Sequence, residues 1–290
     1  MRSLVAELAA LLPPAPESAR LRFEDLRIPR RDGPGEIALR VYRPLDAGAA
    51  LPALVYFHGG AYVAGDLETE HASCAAYCAG VGCVVVSVDY RLAPEHPFPA
   101  GLHDCFASTE WVAANAARLA ADPSRIAVGG ASAGGGLAAA TALMARDRGG
   151  PALCFQHLVY PTLDDRLRTP SSRFVGSPVI DGGGLSGMWR NYLGSEAREI
   201  PAYAAPARAE DLAGLPPAYL LTAEFDPLRD EAIEYAQRLL QAGVPAELHL
   251  FAGACHGFDV IGAQTAIGRR ASAERLLALQ AGFALATGTR

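Results

Sequence analysis

The chain contains no lysine, and all 25 of its basic residues are arginine. The absence of lysine excludes a Schiff-base amine, a pyridoxal-phosphate lysine, a serine–lysine dyad and the lysine of a phosphate-binding loop. The arginines are outnumbered by 31 acidic residues, which gives a net charge of −6 without a long run of either sign. Because a nucleic-acid surface needs a basic stripe, we expect no nucleic-acid partner.

Cysteine pairs with metal or redox spacing are also missing. None of the six cysteines forms a C-x-x-C pair, which excludes the usual zinc and thiol-redox motifs. In a chain of this size, isolated cysteines are typical of buried free thiols in a reducing compartment. We therefore expect a cytoplasmic protein without a metal site. The six are Cys74, Cys78, Cys83, Cys105, Cys154 and Cys255.

Long apolar runs are absent as well. No 18-residue uncharged apolar stretch free of glycine and turn residues occurs, so we expect no membrane-spanning helix and no membrane partner. The opening segment MRSLVAELAALLPPAPES has a short apolar run interrupted by Glu7. This pattern favours an amphipathic surface helix over a signal peptide. The sequence leaves open whether the chain forms a homodimer.

Short apolar runs that end at turns or charges alternate with helix-like segments. Runs of this kind fit strands buried on both faces of a parallel sheet, and the alternation predicts a doubly wound α/β fold in one domain of 290 residues. Before them, residues 21–29 and 36–44 flank the turn RRDGPG and predict a hairpin at one sheet edge. The predicted strands are 53–60, 82–90, 125–130, 153–161, 217–224 and 246–251, and the predicted helices lie near 70–81, 101–121, 133–148, 229–242 and 265–286.

Residues 162–214 interrupt this alternation and contain one helix-like segment, LSGMWRNYLG. A long insert that follows a sheet strand, at the end where ligands bind, is typical of a cap. Tyr62, Met188 and Trp189 are candidates to line a substrate pocket under that cap. Ordinary core packing is the alternative for apolar residues at helical spacing.

The strongest chemical motif is Gly130-Ala131-Ser132-Ala133-Gly134, a G-x-S-x-G sequence. It follows the apolar run RIAV and opens an alanine-rich helix, which is the strand–turn–helix context that a nucleophilic serine requires. The helix N-terminus favours negative charge at the reacting centre. We predict that Ser132 is a nucleophile.

A second motif, His58-Gly59-Gly60-Ala61-Tyr62, ends the predicted strand 53–57. Glycine-rich loops in this position supply backbone N–H groups to an oxyanion, and glycine permits the dihedral angles that such a loop needs. An ordinary glycine turn is the alternative interpretation.

A serine hydroxyl is a weak nucleophile, so a base and an acid are expected to follow it in the order serine, acid, histidine. Asp226 and His256 each come just after a predicted strand, at the same sheet edge as Ser132. The rival bases His157 and His249 lie inside strand-like runs, and His71, His96 and His103 precede the serine. The rival acids are Glu224, Asp259 and Asp230, the last of which is expected to cap the helix at 229–242.

Taken together, HGGAYVAG, VDYRLAPEHPFPA, GASAGG, DPLRDE and HGF resemble, in this order, the hormone-sensitive-lipase-like family of bacterial carboxylesterases over about residues 50–260. The resemblance implies an α/β-hydrolase with a helical cap from about residues 1–45. It implies hydrolysis of short- to medium-chain acyl esters without a cofactor. It also assigns the nucleophile, acid and base to Ser132, Asp226 and His256, and the oxyanion donors to Gly60, Ala61 and Ala133.

The chain departs from the commonest family motifs at Ala131, where aspartate is usual, and at Ala61, where a third glycine is usual. Neither change removes a triad residue, although Ala61 bears on the shape of the loop. Asp89-Tyr90-Arg91 and Glu95 are expected to brace the loops of the site.

Other functions on the same residues stay open. An amidase or a deacetylase would use the same triad, and a triglyceride lipase would activate at an oil–water interface. A ligand-binding receptor on this scaffold would be expected to lack the histidine, whereas this chain keeps all three triad residues.

Overall fold

The structure is a computed structural model that describes residues 21–45, 48, 50–194, 199–286 and 288. The expected N-terminal surface helix lies outside the described residues. A single sheet of eight strands runs through the molecule in the order β1-β2-β4-β3-β5-β6-β7-β8. The strands are β1 (Leu21–Pro29), β2 (Glu36–Pro44), β3 (Leu51–Phe57), β4 (Val84–Asp89), β5 (Ala121–Ala131), β6 (Phe155–Val159), β7 (Ala218–Phe225) and β8 (Ala246–Cys255).

Helices flank both faces of this sheet. A π-helical turn, Cys78–Gly82, extends the first of them, and two 3₁₀ turns, Ser171–Arg173 and Pro206–Arg208, lie in the insert. The α-helices are α1 (His71–Tyr77), α2 (Ala100–Ala114), α3 (Ala133–Asp147), α4 (Gly182–Leu193), α5 (Arg229–Gln241), α6 (Phe258–Ile261) and α7 (Ala266–Leu285).

The central strands are buried on both faces because alternate side chains enter two separate cores. Val55 and Phe57 of β3 belong to a core that includes α2, α3 and α5. Leu54 and Tyr56 of the same strand belong to the other core, which includes α1 and α7. This arrangement explains the continuous apolar runs of the sequence and confirms the α/β fold class.

The N-terminal hairpin is confirmed, since β1 pairs antiparallel with β2, and β2 pairs antiparallel with β4. Residues 21–44 are therefore sheet rather than helical cap, and that part of the expected cap from residues 1–45 is wrong. The antiparallel pairing at this edge of the sheet determines the structure of the segment.

Strands β3 to β8 run parallel, so their carboxyl ends share one edge of the sheet. The insert at 162–214 begins at this edge, and its helix α4 packs into the core that holds α2, α3 and α5. Two carboxylates of α5 hold the first part of the insert in place. The N–H of Leu163 donates to Glu231 (2.6 Å), and the N–H of Ser171 donates to Asp230 (2.8 Å).

All six cysteines are free thiols, as predicted. Among the described helices, none combines the length and the apolar character that crossing a membrane requires.

Two helical glycines give a stability test with opposite expected signs. A methyl group at Gly282 of α7 would lie within 2.6 Å of three ring atoms of the buried Phe155. Around Gly187 of α4, the described residues leave open space. We expect Gly282→Ala to lower the free energy of unfolding by about 1–3 kcal/mol, because the ring must move. Gly187→Ala should raise it by about 0.5–1 kcal/mol, because alanine restricts the unfolded chain.

Urea denaturation of both variants measures this difference. Equal stabilisation by the two alanines would contradict the packing of α7 against β6.

Candidate active site

Ser132 is the single residue between β5 and α3. Its backbone has a conformation that residues other than glycine rarely adopt, with φ 56° and ψ −118°. A positive φ at a non-glycine residue costs energy and is typical of a functional turn. The turn also requires glycine beside it. A Cβ at Gly134 would overlap the carbonyl oxygen of Phe57 and lie 2.6 Å from that of His58. The first turn of α3 therefore touches the backbone that leads into the glycine-rich loop.

The three predicted triad side chains form one chain of hydrogen bonds. The hydroxyl of Ser132 lies 3.0 Å from Nε2 of His256, and Nδ1 of His256 lies 2.8 Å from Oδ2 of Asp226. With Nδ1 donating to the carboxylate, Nε2 of the neutral ring is free to accept the serine proton. Asp226 is fully buried, and its other oxygen accepts the N–H of Leu228 at 2.8 Å, which fixes the carboxylate.

The rival acids have other partners. Glu224 accepts the N–H of Gly253 (2.7 Å). Asp259 accepts the Tyr160 hydroxyl (2.9 Å) and is paired with Arg275. Asp230 accepts the N–H of Ser171, so it caps the insert and not its own helix. The prediction that Asp230 caps α5 is wrong because its two oxygens accept from the N–H of Ser171 and from Nε of Arg229 (2.8 Å).

The rival bases inside strands are structural. Nε2 of the buried His157 is hydrogen-bonded to the Tyr77 hydroxyl (3.0 Å), and burial holds the pKa of His157 well below the ordinary value. His249 lies between the carboxylates of Glu247 (2.7 Å) and Glu274 (2.6 Å). Both histidines are thus held in networks away from Ser132.

The glycine-rich loop carries consecutive residues with positive φ: Gly60 (123°), Ala61 (55°) and Tyr62 (62°). Alanine occupies the left-handed region at position 61, so the departure from glycine is accommodated at the cost of strain. In the described part of the chain, the N–H groups of Gly60, Ala61 and Ala133 donate to no protein group. They are therefore available to an anion at the serine.

The loop rests on a buried pair of rings. His58 stacks on Tyr90 with ring centroids 4.2 Å apart, and the Tyr90 hydroxyl donates to the His58 carbonyl (2.8 Å). Burial lowers the pKa of His58 to about 4, so this ring is neutral at neutral pH. Arg91 binds Asp104 through its Nε (2.8 Å). Tyr90 thus braces the loop as expected, and Arg91 ties the same segment to α2.

The candidate pocket residues are packed together and buried. Tyr62, Met188 and Trp189 are each no more than 3% exposed. The Tyr62 ring lies 6.0 Å from Trp189 and stacks on Tyr192 at 3.8 Å. The Tyr62 hydroxyl also lies 2.6 Å from where a Cβ of Gly136 would stand, over the first turn of α3. Tyr62 therefore contacts both α3 and the insert helix α4.

Sequence reasoning missed Tyr160, whose ring lies 4.6 Å from that of His256. The available signal was its position directly after β6, beside the strand that leads to Ser132. Within the described ranges, no three histidine, cysteine, aspartate or glutamate side chains are grouped so that they could hold a metal ion.

Comparison with known proteins places these features in a family. A family model for the alpha/beta hydrolase fold matches residues 54–260. Esterase LipI of Mycobacterium tuberculosis is 46% identical over 252 residues, which are 85% of this chain and 78% of that protein. Carboxylesterase NlhH of the same species is 44% identical over 258 residues, covering 87% of this chain and 80% of that protein. A solved bacterial heroin esterase is 43% identical and superposes with a TM-score of 0.93, covering 97% of this chain and 90% of that one.

The acid can be assigned by the reactivity of Ser132 toward an organophosphate. We expect Asp226→Asn to slow phosphorylation of Ser132 by on the order of 10⁴-fold, the loss in turnover that the equivalent change causes in a serine protease, because the histidine tautomer is then wrong. Glu224→Gln is the matched control and should leave the rate nearly unchanged. Mass spectrometry of the intact chain follows the reaction, and the reverse ranking would move the acid to Glu224.

Proposed function

This chain belongs to the α/β-hydrolase family, in its hormone-sensitive-lipase-like branch, and from that premise we propose that it is a serine carboxylesterase that cleaves short- to medium-chain acyl esters through an acyl-enzyme. The observation that carries the proposal is the hydrogen-bond chain from Ser132 through His256 to Asp226. Relatives with the names esterase and carboxylesterase support the ester as substrate.

In the first half-reaction, Ser132 Oγ attacks the ester carbonyl carbon while Nε2 of His256 takes the hydroxyl proton. Asp226 holds the ring in the correct tautomer and stabilises the imidazolium that forms. The imidazolium then gives its proton to the departing alcohol oxygen as the ester bond breaks. In the second half-reaction, His256 takes a proton from water, the hydroxide adds to the acyl carbon, and Ser132 leaves with the proton restored.

The carbonyl oxygen becomes negative in both tetrahedral intermediates, so donors must be in place before the reaction. The N–H groups of Gly60, Ala61 and Ala133 fill this role in the proposal. Because they belong to a strained loop and a helix N-terminus, they need little reorganisation when the charge develops. Donors of this kind are worth roughly 3–4 kcal/mol each in related sites.

The insert at 162–214 begins at the carboxyl edge of the sheet and is held there by α5, which supports the preference for shorter chains because it would bound an acyl pocket at that edge. Tyr62 packs against Trp189 of the insert helix, and together with Met188 these residues would form an apolar wall of that pocket. The six free thiols support the proposal that the enzyme works in a reducing compartment such as the cytoplasm.

The direct test is hydrolysis of p-nitrophenyl butyrate by the wild type and Ser132→Ala. We expect the variant to lose activity by on the order of 10⁶-fold, as removal of a catalytic serine does in subtilisin, with an unchanged circular dichroism spectrum. Ser124→Ala, near the opposite end of β5, is the control and should behave as the wild type. Near-normal turnover by a folded Ser132→Ala protein would remove the nucleophile and the proposal with it.

Chain-length preference gives a second test, in p-nitrophenyl esters from acetate to palmitate. Each buried methylene contributes about 0.8 kcal/mol, so kcat/KM should rise about fourfold per methylene until the pocket is full, and then fall. Trp189→Ala should move the optimum to longer chains. Trp111→Ala is the control, because it removes the chain's other tryptophan, which lies on α2 against Arg118, and it should leave the optimum in place.

If the wild type prefers long-chain esters, the pocket is open and the cap argument is wrong. If the optimum is the same in the wild type and Trp189→Ala, the tryptophan does not form its wall.

A further inference from the structure

Behind the catalytic histidine lies a buried line of polar side chains that the proposed mechanism does not use. We propose that Tyr160, Asp259 and Arg275 form a histidine brace, in which Tyr160 and Arg275 are positioning residues for His256. This inference rests on the proposed function, since it concerns how the same site holds its base. The brace joins the residue that follows β6 to α6 and α7, two neighbouring helices about 100 positions further along the chain.

Tyr160 is the part of the brace that touches the histidine. Its ring centroid lies 4.6 Å from that of His256, with the two planes inclined by 59°. Tyr160 has φ 36°, which is strained for a bulky side chain, and its N–H donates to the carbonyl of Leu221 at 2.7 Å. Backbone strain of this kind persists only where the surrounding structure fixes the residue. The surroundings of Tyr160 therefore hold its ring against His256.

The Tyr160 hydroxyl is fixed in turn by the carboxylate of Asp259, to which it donates at 2.9 Å. Asp259 is 4% exposed and lies three residues after His256, on the short helix α6. One carboxylate therefore anchors both the loop that carries the histidine and the ring that packs on it. A buried hydroxyl of this kind is costly to leave without its acceptor.

Arg275 of α7 completes the brace. Its NH1 donates to the second oxygen of Asp259, and its Nε donates to the Tyr77 hydroxyl at 2.7 Å. The guanidinium also lies 5.1 Å from the Tyr77 ring centroid. Arg275 is only 7% exposed, so its charge and that of Asp259 offset each other inside the protein.

This pairing has a consequence for the base. An unpaired carboxylate near His256 would favour the imidazolium and so disfavour the neutral ring that must accept the serine proton. The side chains that contact the ring of His256 are Ser132, Asp226 and Tyr160. With Asp259 paired to Arg275, Asp226 is the carboxylate that hydrogen-bonds the ring and stabilises its charge.

The first experiment removes one hydroxyl. Tyr160→Phe keeps the ring against His256 but removes its hydrogen bond to Asp259. We expect kcat for p-nitrophenyl butyrate to fall by roughly 10-fold with KM unchanged, because the ring of His256 is then slightly misplaced as the base. Tyr219→Phe is the matched control. Its buried hydroxyl, on the adjacent strand β7, has no partner among the described residues, so its loss should leave kcat unchanged.

The second experiment measures how the charges of Arg275 and Asp259 affect the pH dependence of kcat/KM. Arg275→Met should move the acid limb to higher pH by roughly 0.5–1 unit, less than a charge in direct contact would cause. Adding Asp259→Asn should return the limb toward its wild-type position. Rescue by a second substitution is not expected of a residue that serves only to stabilise the fold.

The outcomes are separable. A wild type without esterase activity refutes the proposed function. An active wild type with Tyr160→Phe equal to Tyr219→Phe in kcat refutes the brace, and so does an acid limb that Arg275→Met leaves in place. If Arg275→Met does not fold, the Tyr160→Phe comparison decides alone.

Discussion

The close approach of α3 to the end of β3 is the constraint on which the site depends. A side chain at Gly134 would overlap the carbonyl oxygen of Phe57, and one at Gly130 would lie 2.5 Å from the same atom. Small residues therefore let the turn at Ser132 rest directly on the strand that continues into His58 and Gly60. The distance between Ser132 and the glycine-rich loop is thus set by backbone contact, which is more rigid than contact between flexible side chains.

Burial of polar groups in the protein interior would be expensive if they were charged and alone. The structure handles each group differently. His58 is kept neutral, since burial lowers its pKa to about 4. Burial raises the pKa of Glu231 well above its ordinary value, although the N–H of Leu163 acts in the opposite direction. Arg275 and Asp259 form an ion pair. Each of these buried groups is thus either held in its neutral form or given a partner.

The parts of this molecule that could be predicted from sequence are those that a short stretch of neighbouring residues determines. Apolar runs predicted the central strands, and motif context with chain order selected Ser132, Asp226 and His256, which the structure brings within hydrogen-bonding distance. What sequence reasoning missed depends on partners that are distant along the chain. Tyr160 and Asp259 are separated by 99 positions, so no local pattern relates them.

The errors have the same origin. Asp230 stands where a helix cap is expected, yet one of its oxygens accepts the N–H of Ser171, which is 59 positions away, and the other accepts from Arg229. The helical cap implied by family resemblance failed for residues 21–44, where the strand pairing of β1 with β2 and of β2 with β4 decides the structure. Local propensity and family likeness both predict the wrong local structure where a long-range hydrogen bond or the pairing at a sheet edge determines it.

The contact between the insert and α5 joins the segment proposed to bound the substrate pocket to the loop that carries Asp226. Ser171 of the insert donates its hydroxyl proton to the carbonyl of Pro227 (3.1 Å) and accepts the N–H of Asp230 (3.1 Å). Pro227 follows Asp226 directly, so the insert is hydrogen-bonded to the loop that carries this carboxylate. A change in how the insert packs at Ser171 would then reach Asp226 through one or two peptide units.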